Sequence, residues 1–171
     1  MKSKLTVLFR YLILLFLILF SLSYFYKILT PLTIYPTITL LKIFFNQVSL
    51  SQNIIIIDSK TAIEIIPACI SASAYLLLLI LNLTTPMSLK KRICTLLFSF
   101  ILLLTLNIFR ITLFSILACY NFSLFDLTHK ISWYFLSTIF VIAVWFSTVK
   151  LFKIKQIPVY SDIKKFIKNY Q

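Results

Sequence analysis

"ICTLLFSFILLLTLNIFRITLFSILA" runs from Ile93 to Ala118 with one charge in it, Arg110. An apolar run of this length spans the roughly 30 Å hydrocarbon core of a bilayer as a helix. It fixes the class of the protein: lipid is the solvent, and the other elements follow from the neighbouring apolar runs. Before it, "TTPMSLKKR" (Thr84–Arg92) breaks the chain with a proline and ends in three cations. After it, "CYNFSLFDLT" (Cys119–Thr128) reads as a short loop.

Pro67–Leu83 forms a second span, with Pro67 in the first turn, where its missing N–H costs nothing. His129–Val149 forms the last span, and Phe9–Leu29 an uncleaved first one, too long for a signal peptide and without a small-residue cleavage site. Pro31–Val48 carries Pro31, Pro36, Lys42, Asn46 and Gln47. It reads as a separate interfacial or re-entrant segment. Val48–Ile66 has two β-branched runs around Asp58-Ser59-Lys60, the pattern of a short β-hairpin outside the membrane. The expected fold is therefore an all-α polytopic membrane protein. It has about four transmembrane helices, a fifth re-entrant segment over 31–48, and a short external β-hairpin. Residues 1–150 form one transmembrane domain, and 151–171 a basic cytoplasmic tail whose Asp162–Tyr170 stretch suits an amphipathic helix on anionic lipid.

Composition agrees. Of 171 residues 61% are hydrophobic, and glycine is absent. A net charge of +13 raises nucleic acid as a partner, but the cations sit at the ends of apolar runs rather than on one face of a soluble fold. They sort by side instead. Lys2, Lys4, Arg10, Lys90, Lys91, Arg92 and the six lysines from Lys150 onward fall on one side. Lys27, Lys42, Lys60 and Lys130 fall on the other, with Asp58, Glu64 and Asp126. The positive-inside rule puts both termini in the cytoplasm of a multi-pass cell-membrane protein. One histidine, four acids and scattered cysteines make no metal site, and no cofactor motif is present.

This topology brings three chemical types to one leaflet. Cys69 lies in the outer turn of its span, Arg110 in the outer half of the next, and His129 at the outer end of the last. A cysteine attacks as its thiolate, which a helix N-terminus and a nearby cation favour. Histidine takes and returns a proton near neutral pH, and a fixed guanidinium stabilises an oxyanion. Asn107 shares the helical face of Arg110 and supports it. Each residue also has a plainer use. Arginine snorkels from a span end, a buried cysteine is a small hydrophobe, Cys69 and Cys119 pair in a disulfide, and histidine caps a helix. A non-enzymatic scaffold, a small transporter subunit with Asn107 and Arg110 on its path, and a serine intramembrane protease using Ser71 or Ser73 stay open beside the cysteine enzyme.

"PACISASA" (Pro67–Ala74), "NIFRI" (Asn107–Ile111) and "THKISW" (Thr128–Trp133), in this order, resemble the exosortase/archaeosortase family. The small pacearchaeosortase branch from archaea is the most similar. The resemblance covers roughly Ile65–Val149. It implies a polytopic cysteine transpeptidase, with Cys69 as nucleophile and Arg110 and His129 as partners. Its substrates would be surface-protein precursors ending in a short motif, a transmembrane helix and a basic tail. Cleavage would fall at the external face, with a lipid amine or hydroxyl, or water, as acceptor. The substrate helix would dock on the small face formed by Ala68, Ala72 and Ser73, while the hairpin covers the site and reads the motif. The family's glycine after the cysteine is missing, with Ser71 or Ala72 in its place; so is the glycine after the histidine.

Single cysteines in a cysteine-free chain test the orientation. Those at Ser59 and Asn121 are expected to react with an impermeant thiol reagent from outside, and those at Ser88 and Ser161 are not. The reverse pattern inverts the topology.

Overall fold

The structure, a computed structural model, describes residues 2–120 and 122–154, with all their side chains except those of 2–22, 126 and 133. The expected tail helix over 162–170 lies outside the described residues. In order, α1 is Lys2–Phe44, β1 Val48–Ser51, β2 Ile54–Ile57, β3 Thr61–Glu64, α2 Pro67–Ile70, α3 Ala72–Thr84 and α4 Leu89–Cys119. Then α5, Phe125–Ile131, passes through a π-helical turn, Ser132–Leu136, into α6, Ser137–Leu151. Among the described residues, three stretches are long and apolar enough to cross a membrane: Pro67–Thr84, Leu89–Cys119 and Leu127–Leu151.

The segment after Pro31 is not a separate interfacial or re-entrant piece. It continues α1, a helix of 43 residues, roughly 65 Å at the usual rise and about twice a bilayer core. The reason is a stripe at helical spacing: Leu29, Thr33, Ile34, Thr37, Ile38 and Leu41 are all buried. Its threonines do not act as breakers. The Thr37 hydroxyl donates to the Thr33 carbonyl at 2.7 Å, and outside the stripe Thr30 to Tyr26 at 2.6 Å, which satisfies these two within the helix; the Thr33 hydroxyl has no partner among the described residues. Each proline removes one N–H from the ladder, and the packed stripe holds the helix through both positions.

Where one hairpin was expected, a three-stranded antiparallel meander forms, in the order β1-β2-β3. The Asp58–Lys60 turn joins β2 to β3; Asp58 and Ser59 both have positive φ, as a type I′ turn requires. Gln52, at φ 55°, turns β1 into β2. One face, with Ile55 and Ile57, is buried on the helices. That alternation is the period of a sheet with one face packed and one exposed.

α4 is the hub, touching α1, α3, α6, α2, α5 and β3. Between apolar helices in lipid, close packing and hydrogen bonds replace the hydrophobic effect. Small and hydroxylated residues accordingly sit at the contacts: Ala72, Thr95, Ser99 and Thr148 are buried. Tyr75 of α3 meets Phe100 of α4 edge-on at 5.3 Å, and Phe100 meets Phe25 of α1 at 6.3 Å, a geometry that aromatic pairs favour. At the α3–α4 connection the Asn82 amide donates to Thr95 Oγ1 at 2.6 Å.

The expected single span over 67–83 is interrupted. Ser71 has φ 58° and ψ 34°, ending α2 and starting α3. This left-handed conformation strains any residue with a Cβ, by about 1–2 kcal/mol. Ser71→Ala and Ser71→Gly both delete the hydroxyl and differ only in backbone freedom. Glycine is expected to be the more stable variant by about 1 kcal/mol in denaturant unfolding of the detergent-solubilised protein. Equal stabilities would show that the left-handed turn is unstrained.

Candidate functional site

The break at Ser71 releases the carbonyls at the end of α2, because no helical N–H follows to meet them. Two side chains of α4, at helical spacing on one face, reach across. The Asn107 amide donates to the Cys69 carbonyl at 2.9 Å and to that of Ile70 at 3.4 Å. Arg110 Nη2 donates to the same Cys69 carbonyl at 3.3 Å and to Ser71 Oγ at 3.3 Å, while Nη1 donates to Ser137 Oγ of α6 in a short bond. Arg110 thus ties three helical segments together, and its described hydrogen-bond partners are all neutral oxygens. Asn107 is 2% exposed, so its amide is committed to this role.

Cys69, half-buried and free, lies one residue before these carbonyl contacts end. Its own N–H bonds the Ile66 carbonyl at 2.9 Å. The thiol therefore sits on a short helical turn whose backbone is held from two sides. Cys94 and Cys119 are free as well, Cys94 being exposed. His129 stacks on Phe125 one turn earlier, with centroids 5.5 Å apart and planes 7° apart, and meets Phe114 of α4 edge-on at 5.4 Å. These two rings fix the imidazole plane without using its nitrogens. The helix carrying it starts at Phe125, one turn before the expected start.

Cys69, Arg110 and His129 line one cavity of about 70 Å³, together with Ala68, Phe114 and Ser132. A larger cleft of about 250 Å³ adjoins it, sharing Ile66, Cys69, Ile111, Phe114 and His129, and running out along β3. Asn107 acts behind the cavity, through the carbonyls. Ser73 stands apart: it is exposed, and Ser71 makes the contact with Arg110 instead. Ala72 is fully buried, so it is no part of an open docking face for a substrate helix.

Ser132 escaped the sequence reading. It is 5% exposed, lines the cavity, and its hydroxyl has no hydrogen-bond partner. Buried hydroxyls are usually paired; this one lies beside Cys69 and His129, while those of Thr33, Tyr75 and Thr112, also without a partner among the described residues, lie away from the cavity. A signal was available, since Ser132 follows His129 by three positions and so shares its helical face. Among the described residues no group of acids, histidines and cysteines is placed to hold a metal.

The arrangement has the parts for acyl chemistry: a thiol, an imidazole whose nitrogens have no hydrogen-bond partner among the described residues, and a guanidinium held in place. Its structural dependence is testable. Asn107→Ala uncovers a buried carbonyl and is expected to cost about 1–3 kcal/mol, whereas Ser132→Ala removes a hydroxyl without a partner and should leave unfolding unchanged. Equal effects in denaturant titration would contradict the carbonyl-capping role. Comparison with protein-family models, curated proteins and solved structures returns no match for this chain.

Proposed function

We propose that this chain is a membrane-embedded cysteine transpeptidase or endopeptidase of the archaeosortase/exosortase kind. It cleaves C-terminal sorting signals of surface-protein precursors at the outer face of the cell membrane. One observation carries the reading: Cys69, Arg110 and His129, from three separate helical segments, line the same small cavity.

In this mechanism His129 takes the Cys69 proton, and the thiolate attacks the scissile carbonyl carbon. A C–S bond forms and the carbonyl oxygen becomes an oxyanion, which the Arg110 guanidinium stabilises with its directed N–H groups. The C–N bond then breaks as His129 gives its proton to the leaving amine. The thioester is resolved by a lipid amine or hydroxyl, or by water, which releases Cys69. Ser132 offers its open hydroxyl to the peptide group in the cavity. Asn107 holds the Cys69 carbonyl, so the nucleophile keeps its position beside Arg110.

One observation favours a second reading. Arg110 links Cys69, Ser71 and Ser137, which is what a non-enzymatic scaffold requires of it. The two readings separate on cysteine and arginine variants. The substrate for the assay is a precursor, encoded in the same genome, that ends in a motif, an apolar span and a basic tail. Its cleavage is followed by mass. Cys69→Ala is expected to abolish cleavage with insertion intact, and Cys94→Ala to be silent. Arg110→Lys keeps the charge but loses the planar fork, and is expected to slow cleavage by ~10²–10³. Full cleavage by Cys69→Ala would favour the scaffold.

A further inference from the structure

β3 is an edge strand. Ile65 donates to the Asn53 carbonyl at 2.8 Å, and from that pair the antiparallel alternation runs back along the strand. Thr61, Ile63 and Ile65 turn their backbone groups to β2, through pairs such as Ile55–Ile63. Ala62 and Glu64 therefore present their N–H and C=O groups outward. Among the described residues no hydrogen bond from elsewhere reaches those outward groups.

The 250 Å³ cleft lies along this edge. Every residue from Thr61 to Ile66 lines it, and none from β1 or β2 does. A cleft on a face of the sheet would take alternate residues, so consecutive lining marks an edge. The opposite wall is α4 and α5, with Phe114, Ala118 and Phe125. Set in that wall is Ser115, which is 2% exposed and whose hydroxyl has no partner among the described residues. The cleft thus has unpaired backbone groups on one side and an unpaired buried hydroxyl on the other. At one end it shares Cys69 and His129 with the smaller cavity.

We propose that the outer edge of β3 binds an extended peptide as a fourth strand. The peptide pairs with the main chain of Ala62 and Glu64, meets the Ser115 hydroxyl from the other side, and leads its scissile bond to Cys69. Strand addition supplies affinity through main-chain hydrogen bonds, while alternate side chains meet the walls. The occupant is apolar where it faces Phe114 and Phe125, and free of acids beside the exposed Glu64. Cleavage of the bound peptide at Cys69 rests on the transpeptidase reading; the binding itself does not.

The test uses the full chain carrying Cys69→Ala in lipid nanodiscs, so that binding is read without turnover. The probe is a mixture of N-acetylated, C-amidated nonapeptides randomised at their central positions. Retained peptides are identified by mass and resynthesised with single backbone N-methyl groups. The expected result is alternation. Methylation at every second position lowers affinity by about tenfold, the size of one lost hydrogen bond, and methylation between them does little. Ala62→Pro removes one outward N–H and spares the bonds to β2; it should weaken binding by about tenfold, with Ala62→Val near the parent. Ser115→Ala should weaken binding several-fold without lowering the melting temperature. Failure to retain any peptide, methylation effects without alternation, or parental binding by Ala62→Pro would each overturn the proposal. The methylated peptides leave the protein unaltered, so a misfolded proline variant does not blunt the result. Alternating binding to a chain whose Cys69 proves dispensable for cleavage would instead retain this site and refute the transpeptidase reading.

Discussion

Two backbone carbonyls, those of Cys69 and Ile70, set the terms for this molecule. A left-handed residue inside an apolar stretch strips them of their helical partners, and in hydrocarbon an unsatisfied carbonyl costs several kcal/mol. Asn107 and Arg110 answer that cost from a neighbouring helix. Through Ser137 the same arginine reaches a third helical segment. The break, the two polar side chains and the placement of the thiol are therefore one feature. Remove the left-handed turn and the arginine keeps only Ser137; remove the arginine and the turn has lost part of its cap.

That interdependence explains why an expensive residue persists in an apolar helix without an acidic partner among the described residues. It also separates groups that are fully used from groups that are not. Asn107 and Thr37 have their hydrogen bonds. Ser132 and Ser115, equally buried, do not, and both line the adjoining cavities beside Cys69.

Much of the architecture was legible because apolar length and breaker residues are strong signals. The spans around Ala72–Thr84 and Leu89–Cys119 follow from their runs and from Thr84–Ser88 between them, and the Asp58–Lys60 turn from its polar residues between isoleucines. The grouping of Cys69, Arg110 and His129 followed from counting helix directions. The hidden parts depend on contacts rather than composition. Threonines and prolines after Leu29 look like a break until Thr33, Thr37 and Leu41 are seen to share one buried stripe with the isoleucines. Ser71 carries no local mark of a left-handed turn, since its stabilisation comes from residues far along the chain. The edge of β3 was equally invisible, because a first strand formed by Val48–Ser51 had to be recognised before β3 could be placed at the margin.

The π-helical turn at Ser132–Leu136 adds a matter of phase. His129 and Ser137 are eight positions apart, which on a regular α-helix leaves their directions about 80° apart. A π turn absorbs one extra residue, so the pair takes up the phase of heptad neighbours, about 20° apart. Both can then address α4 at once, His129 against Phe114 and Ser137 under Arg110. Beyond the turn, Val141, Val144 and Thr148 keep the regular inward face of α6. The last apolar helical stretch is thus cut into two rotational registers, and a change in length at the joint would rephase the imidazole without disturbing the helix that anchors it.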